Sequence, residues 1–374
     1  MALSKIQNIG SQVVPNLGRR NILINGGMKI WQRGTSADSI STGTYMCDRW
    51  RGVHAGLDGN YDWDQESTST PEGFPYALKI STDAVESSLD AGDNIKVQQK
   101  LEGQNLQHLL KGTTNAKKTT MSFWVKSSVA STYTFELIDN DNGRHLSKSY
   151  TINSANTWEH KTLTFDGDTS GTLDNDSENS MTLNWYIDSG SALTSGTFND
   201  TAWKSTDDTE RVYDTTGWLV ASSREFYITG AQWEVSDTAT DFEHLSFGEE
   251  LKLCQRYFIT TDTDKLGPGT AQSAYVMGTG YNGRARYTYY YPTTMRTKPA
   301  GTLVDASGNG HVAVWHGATR INYTGSWTFE TNLSCASYYT DTSPGSTING
   351  KGMMSYMGDS SSDYNYYLEL NAEL

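Results

Sequence analysis

Polar and apolar positions alternate along most of this chain with a period of two, the spacing of a strand whose successive side chains point to opposite faces. In TMSFWVKS (120–127) Met121, Phe123 and Val125 share one face, while Ser122, Trp124 and Lys126 share the other. In STYTFELIDNDNGRHLSKSYTI (131–152) Tyr133, Phe135 and Leu137 alternate up to Asn142-Gly143, a turn pair that tolerates positive φ, and a hairpin is expected. TWEHKTLTF, MTLNWYI, GWLVAS and REFYITGAQWEV read as further strands. NILINGGMKIWQRG reads as strand, Asn-Gly-Gly turn and strand, which opens the first domain. Short antiparallel strands over residues 21–245 predict a jelly-roll-like β-sandwich. The same rhythm returns in SAYVMGTGY, ARYTYYYP, the run 311–339 and YNYYLELNAEL, enough strands for a second, smaller sandwich over 259–374. The fold class expected is therefore all-β, two sandwiches joined by a short helix.

That helix is the one break in the pattern. Ser246 followed by Glu249 is a capping-box spacing, so a helix should start at Phe247 and the bridge should span 246–258. Phe247, Leu251, Cys254 and Phe258 then form one apolar stripe. Cys254 reads as a small buried hydrophobe rather than a nucleophile. Glu249 and Glu250 stand in the first turn, where the helix dipole favours negative charge, and His244 has no H-E-x-x-H partner. Residues 1–20 carry a weaker apolar rhythm, including Ile6, Ile9, Val13 and Val14, too short to bury a face alone; an arm that anchors on another protein is expected.

Composition narrows the function. The 374 residues are long enough for two cores. The formal charge of −14 would repel a polyanion over most of the surface, which argues against nucleic acid as a partner. Cys47, Cys254 and Cys335 are odd in number and far apart, which suggests neither a disulfide framework nor a zinc site, and a reducing folding compartment is expected. No run of apolar residues is long enough to span a membrane, and MALSKIQNIGSQVVPNLGRR has no continuous apolar core of a signal peptide. DNDNG (139–143) and DNDSE (174–178) do not fit a twelve-residue calcium loop and read as solvated turns, so no metal or other cofactor is expected. Glycan cleavage needs two facing carboxylates, and among 43 acidic residues the order of residues selects no pair. No enzymatic activity is expected.

The run FYITGAQWEVSDTATDFEHLSFGEELKLCQRYF (226–258) resembles a segment common in bacteriophage tail-fibre and related virion appendage proteins. Phe242, Glu243, His244, Gly248 to Leu251 and Leu253 to Tyr257 match it, while Leu245 stands where that family usually has Arg. NILINGGMKIWQRGTS with YMCDRW, YYPTTMRTKPA and the final ELNAEL resemble further motifs of the same family. The resemblance implies a non-enzymatic phage virion protein, with a sandwich similar to carbohydrate-binding modules and a distal β-domain, assembled in the bacterial cytoplasm as a homotrimer. Within those motifs Trp31, Arg33, Asp48, Arg49 and Trp50 read as a buried Arg–Asp pair packed on indole rings rather than a catalytic cluster.

A sugar site needs exposed aromatic faces beside hydrogen-bonding side chains. Tyr61 and Trp63 in NYDWDQ, Trp203 in NDTAWKSTDD and Trp315 in HVAVWH are the candidates, and the tyrosines of YTYYY (287–291) should place at least one ring outward. Two functions follow: an appendage that attaches to host-surface glycans through several weak sites, or a purely structural virion component such as a capsid decoration, head fibre or baseplate part.

Overall fold

The computed structural model describes residues 19–39 and 41–261 throughout, and then 276–281, 284–305, 311–316, 319–324, 327–340, 352–355 and 366–374. In that distal part side chains are described for 288–302, 330–337 and 368–374. The anchoring positions Ile6, Ile9, Val13 and Val14 lie outside the described residues, as does the side chain of Trp315.

The strands of the first half are β1 (Ser36–Ala37), β2 (Arg51–Ala55), β3 (Asn60–Glu66), β4 (Ala77–Ala84), β5 (Asn94–Glu102) and β6 (Thr119–Ser127). They continue with β7 (Thr132–Asp139), β8 (Arg144–Thr151), β9 (Glu159–Phe165), β10 (Asn179–Ser189), β11 (Lys204–Ser205) and β12 (Glu225–Glu234). A short helix, α1 (Ser191–Thr194), follows β10. All pairings are antiparallel and make two sheets. Sheet A runs β1-β3-β4-β12-β6-β9 and sheet B runs β11-β8-β7-β10-β5-β2. β3-β4 and β7-β8 are hairpins within a sheet, whereas β4 to β5, β5 to β6 and β6 to β7 change sheet each time, the connectivity of a jelly roll.

Alternation decides which residues fill the space between the sheets. Met121, Phe123 and Val125 from sheet A are fully buried and meet Phe135, Leu137, Leu183 and Trp185 from sheet B. Phe123 stands edge-on to Trp185 with centroids 6.0 Å apart, and Trp185 stands edge-on to Phe135 at 4.6 Å. Burying each such ring contributes on the order of 2–3 kcal/mol, so the aromatic core carries much of the sandwich. The hairpin at Asn142-Gly143 forms as expected, with Gly143 at φ +59°.

Three expected strands are not strands. Residues 22–30 are buried but irregular, with Asn25 (φ +58°) and Met28 (φ +51°) in the left-handed region. The Asn25 side chain takes over the hydrogen bonds a hairpin ladder would make: Oδ1 accepts from the Lys29 and Ile30 amides, and Nδ2 donates to the Ile30 and Asp48 carbonyls. This segment borders β12 where β4 no longer does, through Ile22 N–H to Trp233 O and Ala231 N–H to Gly26 O. A side chain at Gly26 would fall 2.0 Å from the Ala231 carbonyl oxygen, so only glycine fits. GWLVAS is likewise a turn, whose Trp218 and Leu219 plug the core from the end.

The helix α2 (Phe247–Gln255) has the capping box in full: Ser246 Oγ accepts from Glu249 N–H, and the Glu249 carboxylate accepts from Ser246 N–H. Leu251 and Cys254 pack on Ile24, Ile30 and Tyr257. Phe247 is 43% exposed, so the apolar stripe begins one turn later than expected. The helix stops at Gln255, and Phe258 already belongs to a strand.

That strand, β13 (Phe258–Thr260), begins the distal part, with β14 (Val276–Tyr281), β15 (Arg284–Tyr290), β16 (Ala300–Asp305), β17 (His311–His316) and β18 (Thr319–Thr324). β19 (Trp327–Thr331), β20 (Cys335–Thr340), β21 (Gly352–Ser355) and β22 (Tyr366–Asn371) complete it. They form a three-stranded sheet, β13-β22-β16, and a seven-stranded sheet, β18-β17-β21-β14-β15-β20-β19. The chain is all-β apart from its short helices.

Candidate functional site

The residues of the appendage-like motifs are far apart in sequence and converge on one joint. Asp48 is fully buried; its carboxylate accepts from Gln32 N–H (2.6 Å) and Gln32 Nε2 (3.0 Å) and lies 3.2 Å from Arg33. Burial outweighs these partners and raises its pKa to about 6. Arg33 and Arg49 both pair with Glu373, and their guanidiniums lie 3.7 Å and 3.5 Å from the ring centroids of Phe258 and Tyr257. Arg256 forks onto Glu102 at 2.8 and 2.6 Å, and Tyr257 donates to the same carboxylate. Arg296 donates to the carbonyls of Ala372 (2.8 Å) and Glu373 (3.0 Å). Trp31 and Trp50 donate their indole N–H groups to Met28 O and Asn25 O. Each charged side chain named here has its counter-charge or hydrogen-bond partner in the chain, which makes the cluster a structural joint.

The thiols of Cys47 and Cys254 are fully buried and held well above their ordinary pKa by desolvation, then by Asp48. Neither is poised as a nucleophile. Glu250 accepts from Asn25 N–H at 2.6 Å, and exposed His244 packs edge-on to Phe242 (4.8 Å) and tilted against Phe74 (5.3 Å).

An open aromatic surface lies elsewhere, on the outer face of sheet A. Trp124 on β6 stands opposite His160 on β9, ring centroids 5.2 Å apart. One step along each strand, Trp158 stands edge-on to Tyr227 of β12 at 6.0 Å, and Lys126 Nζ hovers 3.9 Å from the Tyr227 centroid and 5.2 Å from that of Trp158. Trp158 Nε1 donates to Ser69 O at 2.8 Å, which fixes its ring on the surface. Charged groups flank the rings: Tyr227 Oη donates to Glu225 (2.8 Å), and Glu225 pairs with Lys79 (3.0 Å). At the bulge in β12, Gly230 (φ +60°) lets Phe74 and Trp124 close over its Cα; a side chain there would fall 2.7 Å from Phe74. Trp158, Trp124 and Phe242 are half-buried and His244 exposed, whereas Tyr227 (5% exposed) and Phe74 (7%) lie beneath them as their support. His160 is exposed, and partial desolvation of its ring against Trp124 lowers its pKa.

The residues expected from sequence fall differently. Tyr61 and Trp63 are 1% and 2% exposed and belong to the core. In NYDWDQ the alternation sends Asp62 and Asp64 outward and both rings inward; Trp63 fills the space under Gly52 of the opposite sheet, and Tyr61 Oη donates to Glu86 at 2.9 Å. They cannot present a ring to a sugar. Trp203 is half-buried, with Nε1 donating to Asp166 O and its ring 5.3 Å from Lys111 Nζ. It covers a buried network in which Lys111 pairs with Asp139 and Asp168, and Arg144 forks onto Asp168 at 2.7 and 3.1 Å. Asp139, the first acid of DNDNG, thus has its cation from the chain itself. Among the described residues no group of three or more His, Cys, Asp or Glu side chains could hold a metal. Of the YTYYY run, Tyr290 is 76% exposed, as the alternation requires.

Trp124 and Trp158 were not singled out as site residues in the sequence, although for Trp124 the signal was present: in TMSFWVKS it shares the polar face with Ser122 and Lys126, an aromatic on the wrong side for the core.

The chain is thus an all-β protein with a jelly-roll-like sandwich and an aromatic outer face. No family model matches it, nor does any curated protein sequence. Among solved structures it is similar to the enzymatically active domain of bacteriophage CBA120 tailspike protein 4, at 11% identity over 53% of this chain and 21% of that one, TM-score 0.30. It is also similar to the TmCBM61 module solved with β-1,4-galactotriose, at 11% identity over 58% of this chain and 100% of that one, TM-score 0.29. A family 11 carbohydrate-binding module of the Clostridium thermocellum cellulase Lic26A-Cel5E matches at 15% identity over 56% of this chain and 98% of that one, TM-score 0.28. The chain spans about a fifth of the tailspike domain's length, and at these TM-scores the topology rests on the chain's own strands.

Proposed function

We propose that this protein is a non-catalytic bacteriophage appendage component that adheres to host-surface glycans through the outer face of sheet A. The observation that carries this reading is the pair of half-buried tryptophans Trp124 and Trp158 on the outer face of sheet A, beside exposed His160 and the half-buried Glu225–Lys79 pair: ring faces for the CH groups of a sugar beside polar groups for its hydroxyls. The motifs of the joint, which resemble those of tail-fibre proteins, support the appendage part of the proposal. Residues 1–20 would be the arm that anchors on other virion proteins, with the distal sheets as a second domain. A homotrimer would multiply a weak site into useful avidity.

The test is competition. Purified protein is preincubated with susceptible and with resistant cells, and phage adsorption is then measured. Reduced adsorption to susceptible cells alone, lost in a Trp124→Ala/Trp158→Ala variant that keeps its β-sheet spectrum, is the expected result. Absence of binding to either strain by the folded protein would favour a purely structural virion role, as a capsid decoration, head fibre or baseplate part.

A further inference from the structure

The opposite face of the sandwich carries a second constellation. Outer positions of sheet B are aligned by register across its strands: Arg51 on β2 faces Gln98 on β5, and Gln98 faces Asn184 on β10, which in turn faces Glu136 on β7. Their side chains form a continuous hydrogen-bond row, Arg51 to Gln98 (3.2 Å), Gln98 to Asn184 (2.9 Å) and Asn184 to Glu136 (2.9 Å). The β7-β8 half of this face is covered by the segment after β10. Arg211 forks onto Glu136 at 2.7 and 2.9 Å, Ser147 donates to Arg211 O, and Leu193 and Val212 pack on Tyr186.

The β5-β2 half is uncovered, and it is cationic. Lys96 and Lys100 flank Gln98 on the same face of β5, roughly 7 Å to either side, and Arg51 stands beside it on the edge strand. All three are half-buried, and none has a carboxylate within 4.0 Å among the described residues. Lys96 Nζ lies 4.8 Å from the Tyr186 ring centroid, with Asn94 Oδ1 at 3.4 Å and Tyr186 Oη at 3.5 Å. The acids that act on these lysines are already committed elsewhere: Glu136 and Asp208 to Arg211, Glu373 to Arg33 and Arg49. Burial, with Arg211 and Arg51 nearby, lowers the Lys96 pKa to about 8, and burial with Arg51 and Arg49 lowers that of Lys100. Like charges held together and partly desolvated, on a chain whose net charge is −14, cost stability that an anionic ligand would return.

We infer that Arg51, Lys96 and Lys100 form a binding site for an acidic saccharide, whose carboxylate or phosphate sits over Gln98 between the three cations. Gln98, Asn184 and Thr182 lie buried beneath the cations with their polar groups paired within the chain, and so fix the ledge from below. Tyr213, 50% exposed and held by its amide to Thr134 on the next strand over from Tyr186, supplies a ring at the border of the ledge. This site is independent of the aromatic strip of sheet A.

The experiment is calorimetric titration of the full chain with trigalacturonate and its methyl ester, and in a second arm with a phosphorylated trisaccharide and its dephosphorylated form. The acidic forms are expected to bind, the arm with the tighter binding naming the acid. Lys96→Gln/Lys100→Gln should weaken binding by at least about tenfold, Lys96→Arg/Lys100→Arg should restore most of it, and Trp158→Ala should leave it unchanged. Equal binding of the neutral forms, an undiminished affinity in the Gln variant with its melting temperature intact, or no binding of either acidic probe would overturn the assignment. Loss of cell binding in Trp124→Ala/Trp158→Ala with acidic-sugar binding retained would separate the two faces.

Discussion

Arg49 and Glu373 stand 324 residues apart and form a buried ion pair, with the Arg49 guanidinium laid on the Tyr257 ring. Arg33 reaches the same carboxylate from the other side at 3.1 Å, so one acid near the end of the chain neutralises two cations of the first sandwich. Ala372 N–H donates to Tyr257 O and Leu374 joins the cluster under α2, which fastens β22 to both halves of the protein.

Glu373→Gln removes the charge and keeps the shape. Arg49 is left buried without its anion while Arg33 keeps Asp48, so the loss should be on the order of 3–5 kcal/mol. Urea unfolding should show an earlier midpoint. An unchanged midpoint would mean that the joint is held by packing alone.

Ser246→Ala breaks the capping box of α2 and should cost about 1 kcal/mol. Because Cys254 and Leu251 bring this helix onto the joint, the loss should appear in global unfolding. If it is confined to helix fraying, the helix is not a structural bridge.

Trp63→Ala and Trp158→Ala separate the core from the surface. The first empties a site beneath Gly52 and should destabilise by roughly 3–5 kcal/mol, with aggregation on expression. The second removes a half-exposed ring and should leave the thermal midpoint nearly unchanged while abolishing adhesion to cells. The reverse pattern would invalidate the assignment of sheet A as the contact face.

Stability should pass through an acid-side maximum. Burial opposes ionisation of Glu136, but the hydrogen bond from His145 and the charge of Arg211 win and lower its pKa from 4.5 to about 2. Its contribution, on the order of 3 kcal/mol, is therefore complete above about 4.5 and lost as pH falls through about 2. Asp48 has the opposite sign: its pKa is raised from 3.8 to about 6, so its contribution is complete below 3.8 and lost as pH rises through about 6. Melting temperatures between pH 2 and 7 should rise and then fall, and Asp48→Asn should flatten the falling limb. A falling limb that survives in that variant would assign it to another group.

Assembly as a homotrimer is tested by light scattering of the purified chain. A mass three times that of the monomer is expected, and a monomer at micromolar concentration would count against trimeric avidity.

Local rules reach far into this protein. Alternation along β6 and β7 placed Phe123 and Phe135 in the core, Asn142-Gly143 turned the hairpin, and Ser246 with Glu249 started the helix, because each depends on neighbours within a few residues. The same alternation in NYDWDQ sends both aromatics inward, so Tyr61 and Trp63 were readable as core residues. What only the tertiary structure decided is the identity of the partners. Residues 22–30 carry a hairpin's pattern, yet β12 and the Asn25 side chain satisfy their backbone groups, so no ladder forms. Arg33, Arg49 and Glu373 read as separate charges along the chain, and their pairing arises because β13 and β22 share a sheet beside β5. The aromatic strip of sheet A and the cationic ledge of sheet B depend on strands lying side by side in an order different from that of the sequence; a one-dimensional pattern states which way a side chain points, and the fold alone states what stands next to it.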